Sequence, residues 1–156
     1  MPDAKAGQVA KPQPLAAGGG LPPEILADLR EIYLQGVRAD LVALDTLLED
    51  LDQRRRSWAE VVERLRQITH NVKGQGSSFG YPLMTEIGDS LHALLRRAPE
   101  QATATAARVI EVHVTCLHRV IENDIDGEPG PEGRRLVERL RALTGRVVSD
   151  TPASLS

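Results

Sequence analysis

Aromatic residues make up only 3% of the chain, one Trp, two Tyr and one Phe, within a hydrophobic content of 41%. The core must therefore be aliphatic, built mainly of Leu, Val and Ile, and platforms for stacking nucleic-acid bases are missing. Charge of one sign is lacking as well. The formal net charge is −3, which argues against a nucleic-acid binder that depends on phosphate neutralisation. Cysteine occurs once, at Cys116, so an internal disulfide framework is excluded. No apolar run approaches the roughly 20 residues needed to span a bilayer. The opening MPDAKAGQVAKPQPLAAGGG lacks the continuous apolar segment of a signal peptide. A soluble cytoplasmic protein with no membrane or nucleic-acid partner is the expectation. Alternating strand patterns and internal repeats are also absent, which leaves helices to account for the fold.

What is present reads as helix after helix. The 156 residues suffice for one domain of about 100–150 residues plus tails. Residues 1–21, rich in Ala, Gly, Pro and Gln, are expected to form a disordered tail. Pro22 and Pro23 suit the first turn of a helix. From there Ile25, Leu26, Leu29, Ile32, Tyr33, Val37, Leu41, Leu44, Leu48 and Leu51 trace one stripe, predicting a helix over 23–52. Arg54-Arg55-Arg56 reads as a solvated connection. Ser57 and Glu60 form a capping-box pattern that opens a second helix at Trp58, stopping near Ser78 to Gly80. A third helix is expected over 82–97, a fourth over 99–123 and a last over 131–143, with a Gly- and Pro-rich loop from Asp124 to Gly133. Short links favour antiparallel neighbours. The expected architecture is an all-α, antiparallel up-and-down four-helix bundle with an additional C-terminal helix, over residues 22–145, followed by a frayed tail at 146–156.

One stretch departs from ordinary helix composition: Thr69-His70-Asn71-Val72-Lys73-Gly74-Gln75-Gly76-Ser77-Ser78-Phe79-Gly80-Tyr81. The stripe leading into it is Trp58, Val61, Val62, Leu65, Ile68 and Val72. At about 100° per residue, His70 lies roughly 140° from the centre of that stripe. Arg66 and Ser77 flank the same outward face, and Lys73 sits at its edge. A free imidazole titrates near pH 6.5, so much of it is neutral and nucleophilic at cellular pH. Attack on phosphorus would give a phosphoramidate, a transferable bond, and the Lys73 ammonium can meet the incoming oxygens. A glycine at position 74 costs a helix about 1 kcal/mol relative to alanine, and it makes sense if another protein must approach His70 closely. The alternative is that Gly74 and Gly76 mark early helix termination and His70 is an ordinary surface residue. Spacing alone does not choose between them.

The remaining histidines differ. His113 falls on the apolar stripe of the fourth helix, with Ala106, Val109, Ile110 and Leu117, and reads as a buried, hydrogen-bonded structural residue. His118 belongs to another face. His113, Cys116 and His118 look like a metal motif on paper, but one helix cannot aim all three at one ion, so no metal site is expected.

The residues HNVKGQGSSFGY resemble the phosphorylation motif of histidine-containing phosphotransfer (HPt) domains, H-x-x-K-G with a further glycine near the helix end. The flavour is that of the N-terminal phosphotransfer domain of chemotaxis histidine kinases, whose motif has an aromatic-Gly-aromatic ending like Phe79-Gly80-Tyr81. The opening helix and the LMTEIGDSLHALL segment are similar too, so the likeness covers about 22–123. It implies a four-helix bundle that accepts a phosphoryl group on His70 and exchanges it with receiver-domain aspartates. Lys73 would be the phosphate-neighbouring cation and Gly74 the access glycine. Arg66, Gln75 and Ser77 would form the receiver-docking face. Implied partners are response-regulator receivers and a (hybrid) histidine kinase. Mg²⁺ would come from the receiver, the bundle holding no permanent cofactor and remaining a monomer. No Walker-type G-x-x-x-x-G-K occurs, so phosphate must come from a partner, and the protein is expected to be a carrier rather than an enzyme. A helical docking module for a kinase or regulator that never carries phosphate is the alternative. In the chemotaxis subgroup a third-helix glutamate tunes the histidine, with a second histidine one turn earlier. Here Asp89 takes the earlier position and His92 the later, which leaves open which of the two faces His70.

Overall fold

The computed structural model describes residues 20–150. They form α1 (Pro23–Asp52), α2 (Trp58–Gln75), α3 (Pro82–Arg96), α4 (Ala104–Glu122) and α5 (Pro131–Asp150), with a 3₁₀ turn at Ser77–Phe79. No strand occurs among the described residues. Helix α1 packs on α2 and α4, α2 on α3, and α3 on α4, which closes a four-helix ring; α5 lies outside it across α3 and α4. The all-α bundle with a fifth, C-terminal helix is thus as expected. Of the tails expected over 1–21 and 146–156, residues 1–19 and 151–156 lie outside the described residues.

An aliphatic core holds the ring together. Leu44, Leu65, Ile87, Leu91, Leu94, Ile110 and Leu117 are all fully buried, each stabilising the fold by roughly 1.5–3 kcal/mol relative to an exposed side chain. Helix α1 buries Tyr33, Val37, Leu41, Leu44 and Leu47. Ile25 and Ile32, expected on that stripe, are instead 44% and 65% exposed. Tyr33 takes the inward direction, and Ile32 lies about 100° round the helix from it.

Two helix ends differ from expectation. Helix α4 starts at Ala104, not at Pro99, because Thr103 is its N-cap, with the hydroxyl accepting from the Ala106 N–H at 3.0 Å. The Pro99 carbonyl is used elsewhere, accepting from Trp58 Nε1 at 2.8 Å. Helix α5 runs past Leu143 and Gly145 to Asp150, since Thr144 and Val147 continue the buried stripe of Val137 and Leu140. A helical glycine costs about 1 kcal/mol, less than burying Val147 returns. Residues 146–150 are therefore helix, not frayed tail.

His113 is sealed in the core, as its place on the stripe predicts. Its Nδ1–H donates to the Val109 carbonyl at 2.9 Å, and its Nε2 accepts from the Ser90 hydroxyl at 2.8 Å. Thr144 of α5 joins this cluster through Ser90 at 3.1 Å, so one polar knot ties α3, α4 and α5. Burial disfavours the charged ring and pushes the His113 pKa below 6.5, which leaves Nε2 as the acceptor of the neutral tautomer. In the unfolded chain the imidazole takes up a proton near pH 6.5, and in the folded chain only at lower pH. Stability is therefore full above about pH 6.5 and falls as pH drops below it, by up to about 1.4 kcal/mol per pH unit. Urea unfolding stepped from pH 7.5 to 5 should show this decline. Midpoints constant down to pH 5 would contradict it.

Candidate functional site

Helix α2 is fixed at both ends. At its start the Ser57 hydroxyl accepts from the Glu60 N–H at 3.2 Å, and the Glu60 carboxylate accepts from the Ser57 N–H at 3.4 Å, the capping box read in the sequence. At its end the chain tightens into the 3₁₀ turn and stops at Gly80, whose φ of +91° is the left-handed region open to glycine. The residues either side anchor that end to α1. Phe79 stacks on Tyr33 with ring centroids 4.9 Å apart, and the Arg30 guanidinium sits 5.0 Å over the Tyr81 ring while donating to its hydroxyl at 3.0 Å.

Between these anchors α2 buries Trp58, Val61, Leu65, Thr69 and Val72. His70 is left exposed on the opposite side, as the helical count requires. Across from it stands His92 of α3, with ring centroids 5.6 Å apart and planes tilted by 45°. Both rings line a shallow depression with Glu63, Arg66, Gln67 and Asn71. Partial burial holds the His92 pKa below 6.5, and the positive charges of Lys73, His70, Arg96 and Arg66 add to the effect. At neutral pH the His92 ring thus carries one N–H and one lone pair.

Asp89, one turn before His92 on α3, has a different partner. Its Oδ1 lies 3.6 Å from Lys73 Nζ and its Oδ2 lies 3.7 Å from Arg141 Nη2 of α5. Of the two residues left open by the sequence, His92 faces His70 and Asp89 faces Lys73. Arg66 pairs with Glu63 at 2.8 Å within the depression. Gln75 and Ser77 are exposed further along, outside that lining, and the Ser77 N–H donates to Thr85 Oγ1 at 2.8 Å. His118 Nε2 lies 2.9 Å from Asp45 of α1, away from His113, and Cys116 is half-buried. Among the described residues, no group of three or more His, Cys, Asp or Glu is placed to hold a metal ion.

Three glycines separate what the fold needs from what a partner would need. A Cβ on Gly76 would lie 2.7 Å from the Tyr81 carbonyl oxygen and 2.8 Å from the Thr85 nitrogen. One on Gly88 would lie 2.9 Å from the Lys73 Cβ. Gly88 thus lets α3 press against α2 at Lys73, one turn from the His70 and His92 rings. Gly74 meets nothing within 4 Å, so packing gives no reason for a glycine there. Sequence reasoning missed Gly88 and Arg141. The available signal for Gly88 was a glycine inside a helical stripe, which costs about 1 kcal/mol unless something comes close.

The Hpt domain family model matches residues 28–143, from within α1 to within α5. The chain belongs to the Hpt domain family. Hpt domains are phosphocarrier modules, and histidine phosphotransfer within phosphorelays is accordingly the general role of this chain. Its partners are of the kind Hpt domains meet, kinases and receiver domains. No curated protein and no solved structure matches the chain. No helix among the described residues is long and apolar enough to cross a membrane.

Proposed function

We propose that this Hpt domain is a cytoplasmic, monomeric phosphorelay carrier whose phosphoacceptor is His70. One observation carries the assignment. Of the four histidines, His70 alone is exposed, with Lys73 one turn on and open space over Gly74. His113 is locked in the core and His118 is engaged by Asp45. In the reaction a ring nitrogen of His70 attacks the phosphorus of a receiver's aspartyl phosphate. The N–P bond forms, the P–O bond breaks, and the aspartate leaves as a carboxylate. The receiver brings Mg²⁺ and its acidic pocket. The bundle contributes position, holding one imidazole in line for transfer. Lys73 supplies positive charge near the phosphoryl oxygens, His92 tunes the ring it faces, and Arg66, Gln75 and Ser77 meet the receiver around His70.

Gly74 is the access point in this reading. Gly74→Ala should leave the fold as stable or raise stability by up to about 1 kcal/mol, since the helix gains and nothing is struck. Gly74→Leu should cut transfer from a receiver roughly tenfold, the equivalent of the 1–3 kcal/mol that overpacking costs. Labelling by phosphoramidate, a donor small enough to pass the leucine, should be unaffected. Equal losses with both donors would refute the access role.

The direct test is incubation with a phosphorylated receiver and Mg²⁺. The carrier reading expects label on the protein that is acid-labile and base-stable, as a phosphohistidine is. Receiver binding without any label would instead establish the docking-module reading.

A further inference from the structure

A carboxylate beside a phosphoacceptor is at first sight a liability, because its charge repels the arriving phosphoryl group. Asp89 is such a carboxylate, yet it is not directed at the imidazole. It lies between two cations, Lys73 of α2 at 3.6 Å and Arg141 of α5 at 3.7 Å. The close approach at Gly88, one residue before Asp89, brings the Lys73 stem against α3 and its ammonium within reach of Asp89.

We infer that Asp89 is a positioning residue for the transfer reaction: it holds Lys73 against α3 while His70 is bare and yields it when His70 carries phosphate. The inference rests on the carrier reading above. A phosphoryl group carries close to two negative charges at neutral pH, so it outcompetes one carboxylate for the ammonium. Arg141 stays beside Asp89 and keeps its charge compensated after Lys73 leaves. The Lys73 and Asp89 side chains are 27% and 51% exposed, so solvent keeps the pair weak enough to exchange. A pair of this exposure is worth about two- to five-fold in an equilibrium. Asp89 therefore sets how readily His70 takes up phosphate, and α5, outside the four-helix ring, acts on the site through Arg141.

The test uses phosphoramidate, which needs no partner protein. The His70 ring nitrogen bonds to phosphorus, the donor's P–N bond breaks, and ammonia leaves. Occupancy at a fixed ratio of phosphoramidate to ammonia then gives an equilibrium constant. Asp89→Asn should raise that constant about two- to five-fold, with the thermal midpoint little changed. In a Lys73→Gln background the same substitution should change it by less than about 1.5-fold, because no ammonium remains to be released. An equal rise in that background would mean simple repulsion by Asp89 and overturn the inference. So would an unchanged constant for Asp89→Asn in the native background. Failure of the native protein to take label would defeat the carrier reading first, and this one with it.

Discussion

His70→Gln is expected to abolish labelling from a phosphorylated receiver and to leave the protein folded. Glutamine has no nucleophilic ring nitrogen, so the N–P bond cannot form at that position, and label should fall to background. The fold should not notice. His70 is exposed on the outward side of α2, and surface substitutions of this kind usually change stability by less than about 0.5 kcal/mol. Helical circular dichroism and the urea midpoint of the variant should therefore overlay those of the native chain. The nearest competitor is His92, with its ring centroid 5.6 Å away, which makes the experiment sharp. Label that persists in the variant would move the phosphoacceptor off His70.

Gly76→Ala is expected to destabilise the bundle although it adds only one methyl group. The Gly76 backbone is right-handed helical, with φ −53° and ψ −52°, so alanine meets no torsional obstacle. The obstacle is steric, since the added carbon would sit 2.7 Å from the Tyr81 oxygen and 2.8 Å from the Thr85 nitrogen. Both are backbone atoms at the start of α3 and cannot swing aside as a side chain would. The Gly76 carbonyl also accepts from the N–H groups of Phe79 and Tyr81, at 3.2 and 2.8 Å, so the turn cannot open without losing these bonds. Overpacking of this sort costs about 2–3 kcal/mol, a drop of roughly 5–10 °C in thermal midpoint for a chain of this size. Gly74→Ala, two residues earlier, is the internal control with the opposite sign. A Gly76→Ala midpoint within about 2 °C of native would show that the α2–α3 turn accommodates a methyl group.

The helices were legible because their apolar residues recur at helical spacing and few glycines or prolines interrupt them. The errors fell where local sequence was ambiguous. Pro99 is a good first-turn residue, but Trp58 captures its carbonyl and Thr103 supplies the better cap. Gly145 looked like a stop, but α5 packs on α3 and α4 and carries the helix through it. Ile32 looked like core until Tyr33 took the inward direction and stacked on Phe79. Each outcome depended on a partner many residues away.

By itself the sequence determined the all-α class, the capping box at Ser57, the outward direction of His70, the buried place of His113 and the motif that brings Lys73 and Gly74 beside His70. These follow from periodicity and from side-chain chemistry within one helix, where neighbours three and four residues apart are fixed by helix geometry. Tertiary structure alone decided what stands across from that motif. His92 faces His70, Asp89 faces Lys73, and Arg141 reaches Asp89 from the fifth helix. A one-residue rotation of α3 would turn its side chains by about 100° and carry His92 and Asp89 away from His70 and Lys73. The rotation is set by long-range contacts, the close approach at Gly88 and the polar knot at His113, which no pattern within α3 records.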